Sequence, residues 1–208
     1  MELDDPCPDD PRNSCFGPVA VDGTTGNAIR LNAYSKASSP AECAGTKVDC
    51  NGDTWLGDFG FNQQTEAFAC NFNGGGESCV ISGIGTIFGC DDESTEDLFQ
   101  CEHFDAPTEP ELSYSFDVSD GTYLVNLLFA EAFDGLPNVG DRIFDILIEG
   151  AVVYDDFDQV AAAGAAATAV VRSAVVTVAD GNGITIELQH VVENPAIKAI
   201  EVLAEQPF

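Results

Sequence analysis

Between Ser113 and Asp158 apolar side chains recur at every second position: Tyr114, Phe116 and Val118, then Tyr123, Val125, Leu127 and Phe129, then Phe144, Ile146 and Ile148. A two-residue period marks half-buried strands. Ser119-Asp120-Gly121 supplies a turn, Gly135, Pro137 and Gly140 a loop, and Glu149-Gly150 a second turn leading into Val152 to Tyr154. Four strands joined this closely predict an antiparallel sheet, because parallel neighbours need crossovers of a dozen or more residues. Leu124, Leu128 and Ala130 make the opposite face of the second strand apolar too, so it is expected to lie centrally with material on both sides. It delivers Glu131, Ala132, Phe133 and Asp134 into a loop at the sheet's end, where a rigid scaffold commonly presents a binding site. The alternative is that Phe133 plugs the edge of the sheet.

The same period recurs on either side. Ile29 to Ala33 alternates as an early strand, and Ile197 to Leu203 closes the sheet. Ala174, Val176 and Val178, the turn Asp180-Gly181-Asn182-Gly183, and Ile184, Ile186 and Leu188 predict a hairpin. The alanine-rich run 161–169 reads as a loop rather than a short helix, since Gly164 interrupts it and it has no polar face. The expected organisation is an irregular, cysteine-containing arm over residues 1–27 and one all-β antiparallel sandwich over 28–208. An insert at about 59–97, rich in Gly, Asn, Gln and Cys, interrupts the sandwich. The 208 residues suffice for one such domain.

All eight cysteines lie in the first half, at positions 7, 15, 43, 50, 70, 79, 90 and 101. An even count at loop-like positions reads as a disulfide framework formed in an oxidising compartment, here a secreted or cell-surface protein. Eight cysteines allow 105 pairings; neighbours along the chain are expected to pair. Met1 to Pro6 has neither a basic nor an apolar leader segment, and no N-glycosylation sequon occurs.

Thirty-six acidic residues against seven basic ones leave a formal charge of -29. That surface repels phosphate backbones and anionic lipid headgroups, arguing against nucleic acid as a partner. No apolar run reaches the ~20 residues that span a bilayer, so membrane insertion is not expected. Asp49, Asn51 and Asp53 begin like a calcium loop. Thr54 and Gly60 then stand where such a loop needs Gly and a bidentate Glu. No cofactor is expected, with calcium the one open alternative, and His103 and His190 lack zinc-ligand spacing.

Trp55, the only tryptophan, stands among Gly52, Gly57, Asp49, Asp53 and Asp58. An indole face can pack on the C–H face of a pyranose while carboxylates accept hydrogen bonds from its hydroxyls. The plainer reading is a buried core residue.

Taken in order, several segments resemble the malectin domain, a carbohydrate-binding β-sandwich of the galactose-binding-like jelly-roll type. They are Ile29 to Ala33; Asp49, Gly52, Trp55 and Asp58; Leu98-Phe99-Gln100; Gly121 to Glu131; Arg142, Phe144 and Asp145; Ile148-Glu149-Gly150; Phe157-Asp158; Asn194-Pro195; and Ala199 to Leu203. The resemblance implies a sugar site on loops at one end of the sandwich, near Trp55, Phe99, Ala132, Phe133 and Glu193. This chain departs from the pattern there: Ala132 stands where an aromatic is usual, Trp55 and Phe99 where tyrosines are usual, and Glu193 replaces an aspartate. Glucose specificity is therefore not carried over.

The expected function is a non-catalytic module binding an oligosaccharide or polysaccharide through Trp55, Asp58, Phe99, Phe133, Asp134 and Glu193. The alternative is a structural or adhesive module that contacts other extracellular proteins. A glycosidase would need two carboxyl groups ~5 to 9.5 Å apart. No nucleophile elbow, phosphate loop or metal triad supports an enzyme.

Overall fold

A computed structural model describes residues 16–17, 28–33, 45–62, 68–69, 80–90, 93–105 and 110–205. The strands, in chain order, are β1 (Phe16–Gly17), β2 (Ile29–Asn32), β3 (Lys47–Val48), β4 (Thr54–Gly57), β5 (Phe68–Ala69), β6 (Cys101–Phe104) and β7 (Leu112–Phe116). They continue with β8 (Gly121–Phe129), β9 (Ile143–Ile148), β10 (Ala151–Phe157), β11 (Val170–Val178), β12 (Ile184–Val192), β13 (Ala196–Ile197) and β14 (Ala199–Glu205). Three short helices intervene: α1 (Ile84–Phe88), α2 (Glu93–Glu96) and α3 (Gln159–Ala163).

Two sheets form the expected sandwich. One runs β11-β8-β14-β2-β4-β3, with β1 pairing off β14; the other runs β10-β9-β12-β7. The small set β13-β6-β5 stands apart from both. Pairing is antiparallel except between β2 and β4, which run parallel. Alternation explains the layering. Tyr123, Val125, Leu127 and Phe129 of β8 meet Tyr114, Phe116, Phe144, Ile146, Ile148, Ile184, Ile186 and Leu188 from the second sheet in one core. Phe129, Phe144 and Phe157 pack together there, with ring centroids 4.9 to 5.8 Å apart.

The central placement of β8 is as the sequence implied. Leu128 on its outer face and Ala130 just beyond its end join a second cluster with Trp55, Ile81, Ile84, Leu98, Phe99 and Ala199. The cover thus comes from the segment containing α1 and the helical turn before β6.

Three expectations about local pairing fail. First, β11 pairs with β8, whereas β12 pairs with β7 and β9, so the strong turn Asp180 to Gly183 carries the chain from one sheet to the other and makes no hairpin. Second, the turn before Gly121 does the same, since β7 and β8 lie in opposite sheets. The two crossings sit together: the Gly181 N–H donates to Asp120 Oδ1 at 2.9 Å. Third, the alanine-rich run is the expected loop only from Gly164 onward; its residues 161–163 belong to helix α3, because Asp158 Oδ1 accepts from the Ala161 N–H and Gly164 ends the helix in a left-handed conformation.

The disulfide expectation is corrected as well. Cys50 bonds Cys90, 40 residues on, which is not a pairing of neighbours. Closing a loop of that length removes chain entropy from the unfolded state worth about 4 kcal/mol. It pins the loop leading into β4 to the end of α1.

The crossover glycines give a paired test. Gly181 and Gly183 both have left-handed φ, but a Cβ on Gly181 meets nothing, whereas one on Gly183 would lie 2.1 Å from the Phe116 carbonyl oxygen. Gly181→Ala is expected to cost about 1 to 2 kcal/mol, the price of a left-handed L-residue. Gly183→Ala should cost clearly more, read as the larger shift in urea midpoint.

Candidate functional site

The loops at the end of β8 are held by a buried group of balanced charges. Glu131 Oε2 accepts from Arg142 Nε at 2.9 Å and from Gln159 Nε2 at 2.6 Å, and its Oε1 accepts from the Phe133 N–H at 3.0 Å. Arg142 also donates to the Asn194 carbonyl and lies 3.9 Å from Glu102, which in turn pairs with Lys198 at 2.9 Å. Two acids and two bases are thus enclosed together. Burial raises the carboxyl pKa of Glu131, an effect opposed by Arg142 and reinforced by Glu102. Arg142 ties the loop carrying Phe133 and Asp134 to the loop carrying Glu193.

A second buried set lies at the end of β4. His103 Nδ1 and Asp58 Oδ2 are 2.7 Å apart, and the Tyr114 hydroxyl lies 2.9 Å from the same nitrogen. Burial raises the Asp58 carboxyl pKa despite the opposing influence of His103 and Tyr114. Burial also pushes the Tyr114 hydroxyl well above its ordinary range. Asp58 Oδ1, His103 Nε2 and the whole side-chain amide of Asn32 have no hydrogen-bond partner among the described residues.

The third feature is a groove of about 590 Å³ on the outer face of the first sheet, between the sheet and α1. Leu128, Ala169, Val171, Leu203, Ile87 and Phe88 give it an apolar surface; Asp49, Asn51, Asp53, Asn126 and Glu201 give it polar groups. These polar groups are fixed before any ligand arrives. Arg30 bridges Glu201 at 2.6 Å and Asp53 at 3.1 Å, Asn126 Nδ2 donates to Glu201, and Ser173 donates to Asn126. Asp49 shapes the approach to β4 by accepting from the N–H groups of Asn51 and Asp53 and from Trp55 Nε1. Its bonds complete a turn and an indole contact, so the calcium-like run serves the chain's own backbone.

A family model for the malectin domain matches residues 41–200. The chain belongs to the malectin-domain family. Receptor-like protein 4 of Arabidopsis thaliana is 33% identical over 117 residues, covering 53% of this chain and 18% of that protein. The malectin domain described here therefore corresponds to about a fifth of that relative's length. Solved structures share the fold at lower identity. One is the plant peptide RALF23 in complex with FER and LLG2, with a TM-score of 0.65 and 16% identity over 89% of this chain and 52% of that chain. Another is Bacteroides uniformis β-glucuronidase, with a TM-score of 0.60 and 19% identity over 90% of this chain and 19% of that one. Among the described residues no helix is long and apolar enough to cross a membrane.

The residues expected to bind sugar separate into three places in this malectin domain. Phe133, half-buried, and the exposed Asp134 and Glu193 stand on the two loops tied by Arg142. Asp58 is enclosed with His103, its side chain 1% exposed, and cannot reach a ligand as the structure stands. Trp55 and Phe99, 2% and 0% exposed, flank Phe88 at centroid distances of 6.1 and 6.3 Å. Neither offers a free stacking face, because the insert covers them; Trp55 reaches the groove only as part of its wall. Phe88, Asn126 and Glu201 were not anticipated. The one trace in the sequence was Asn126, an amide between Leu124 and Leu128 on a face otherwise apolar.

A carboxyl group whose folded pKa is raised holds its proton longer folded than unfolded, so its contribution to stability falls as pH rises through that interval. Asp58→Asn removes the titration and keeps an acceptor for His103. The stability of Asp58→Asn relative to wild type is expected to increase as pH rises from about 4 through the raised pKa of Asp58, measured by urea unfolding across that range.

Proposed function

We propose that this malectin domain is a non-catalytic carbohydrate-binding module of a secreted or cell-surface protein, and that the groove beside α1 is its principal contact surface. The observation that carries the reading is the composition of the groove. An aromatic and aliphatic wall faces preorganised carboxylates and amides across a volume that suits a short oligosaccharide. Apolar side chains there would pack against pyranose C–H faces. Asp53, Asn51, Asn126 and Glu201 would meet hydroxyl groups, with orientations already set by Arg30 and Ser173. A charge of -29 favours a neutral glycan over a uronic or sulfated one. Phe133, Asp134 and Glu193 on the tied loops would form a second, more open contact.

The absence of catalysis in this reading rests on how the groove's acids are used. Asp49 accepts three donors from its own segment, and Glu201 is held by Arg30 and Asn126. Asp53, the most open of the three groove acids, is paired with Arg30 at 3.1 Å, and no second groove carboxylate is left uncommitted to act with it as an acid and base pair. The second reading is a module that contacts protein or peptide, favoured by the fold shared with the plant receptor-like kinase FER, which is also solved in complex with the peptide RALF23 and LLG2.

Calorimetric titration with a panel of neutral oligosaccharides separates the two. Saturable binding in the micromolar to millimolar range, about -8 to -4 kcal/mol, is expected for at least one sugar. Thr86→Trp, which places bulk on the exposed rim of the groove, should weaken it by tenfold or more, about 1.4 kcal/mol. Phe133→Ala should have a smaller effect. A panel that gives no binding at all would contradict the carbohydrate reading and leave the protein-binding one.

A further inference from the structure

We propose that Asp105, Glu111 and His190 form a binding site for a divalent transition-metal ion of the zinc class. The fold assembles it from three strand ends. Asp105 directly follows β6, Glu111 directly precedes β7, and His190 lies near the end of β12, which pairs with β7 through Leu188 and Leu112. One ligand atom from each residue lies within 4.8 Å of the others. Bonds of ~2.0 to 2.2 Å around zinc place tetrahedral ligands about 3.3 to 3.6 Å apart, so small side-chain rotations close the set.

Donor chemistry and setting both point to a metal ion. Glu111 Oε1 already lies 2.6 Å from His190 Nδ1, and its Oε2 accepts from the His190 N–H at 3.2 Å. Asp105, 1% exposed, brings a carboxylate oxygen within 4.8 Å of a carboxylate oxygen of Glu111, so two carboxylates stand near one another in a strongly acidic chain. A proton on His190 balances one of those charges; a dication bound in its place balances both. An imidazole among the donors favours zinc or its neighbours over calcium and magnesium, which take oxygen ligands.

The supporting contacts hold the geometry. The Asp105 N–H donates to the Pro195 carbonyl at 2.8 Å. Asn62 Nδ2 donates to the Glu111 carbonyl at 2.8 Å while its Oδ1 accepts from the Ser113 N–H. Burial is graded from Asp105 to His190, whose side chain is 52% exposed, and a polar cavity of about 580 Å³ opens beside Glu111, Glu187 and Gln189. A bound ion would therefore keep a coordination position accessible to solvent or to a carboxylate or hydroxyl of another molecule. The cluster of Asp145, Asp155 and Asp156 has carboxylates alone. It serves as the control.

The test is calorimetric titration of chelator-stripped protein with Zn²⁺, alongside the visible spectrum of the Co²⁺-loaded protein and its thermal midpoint. One zinc per chain, a rise in midpoint and a Co²⁺ band typical of low coordination number are expected. His190→Ala and Glu111→Gln should each weaken zinc binding at least tenfold, with metal-free circular dichroism unchanged; Asp156→Asn should leave it as in wild type. No saturable zinc binding by the wild type would overturn the site. So would equal zinc affinity in wild type and His190→Ala, or calcium bound as tightly as zinc.

Discussion

Burying Arg142 and Lys198 is admissible only because Glu131 and Glu102 are buried with them. Each ion removed from water carries a penalty of several kcal/mol, recovered only when every partner is in place. Here Arg142 and Glu131 meet that condition through direct hydrogen bonds, while Lys198 and Glu102, 2.9 Å apart, are paired by charge without a well-aligned hydrogen bond, all in a chain that is strongly acidic. The consequence is geometric. Because Arg142 also bonds the Asn194 carbonyl, and Glu131 also holds the Phe133 N–H and Gln159, no member can shift without uncovering a charge. This group joins the loop after β8, the loop after β12 and α3 to one another. Phe133, Asp134 and Glu193 inherit their positions from it.

The groove depends on a different constraint. β8 lies between β11 and β14 and carries apolar side chains on both faces, so the outer face at Leu128, with Ala130 just beyond the strand, has to be covered. Ile81 and Ile84 of the insert and Leu98 and Phe99 just after it do this, and the Cys50–Cys90 bond holds that cover close to the loop before β4. Cover is incomplete toward Asn126 and Leu203. The uncovered remainder, walled by Phe88 and rimmed by acids and amides, is the groove. The concavity proposed to bind sugar is thus a by-product of how a short insert caps a long strand.

These two constraints were unequally legible in the sequence. The strands of the second half followed from a period of two, and so did the two-sided burial of β8, because alternation reports directly on which face meets a core. It does not report on neighbours. Asp180 to Gly183 has the composition of a hairpin turn, yet it crosses between sheets, since β12 finds β7 and β9 while β11 finds β8. Only Gly183, packed against the Phe116 carbonyl with no room for a Cβ, hints at the close approach of a crossing strand. Trp55 read more plainly as core than as platform, and the deciding fact, the cover supplied by α1 and the turn through Phe99, comes from a segment with no regular period. The grouping of Asp105, Glu111 and His190 was invisible to a search by spacing, because Glu111 and His190 meet through the pairing of β7 with β12 and Asp105 arrives from β6 in a separate sheet.

The central claim is that the ligand lies across the outer face of the first sheet, in the groove between that sheet and α1. The most direct measurement is an amide chemical-shift titration of the isotope-labelled domain with a sugar that binds. The account predicts the largest perturbations at Asn51, Asp53, Phe88, Asn126 and Glu201, with smaller ones at Phe133 and Glu193. Perturbations confined to Phe133, Asp134 and Glu193, with the groove residues unmoved, would contradict it.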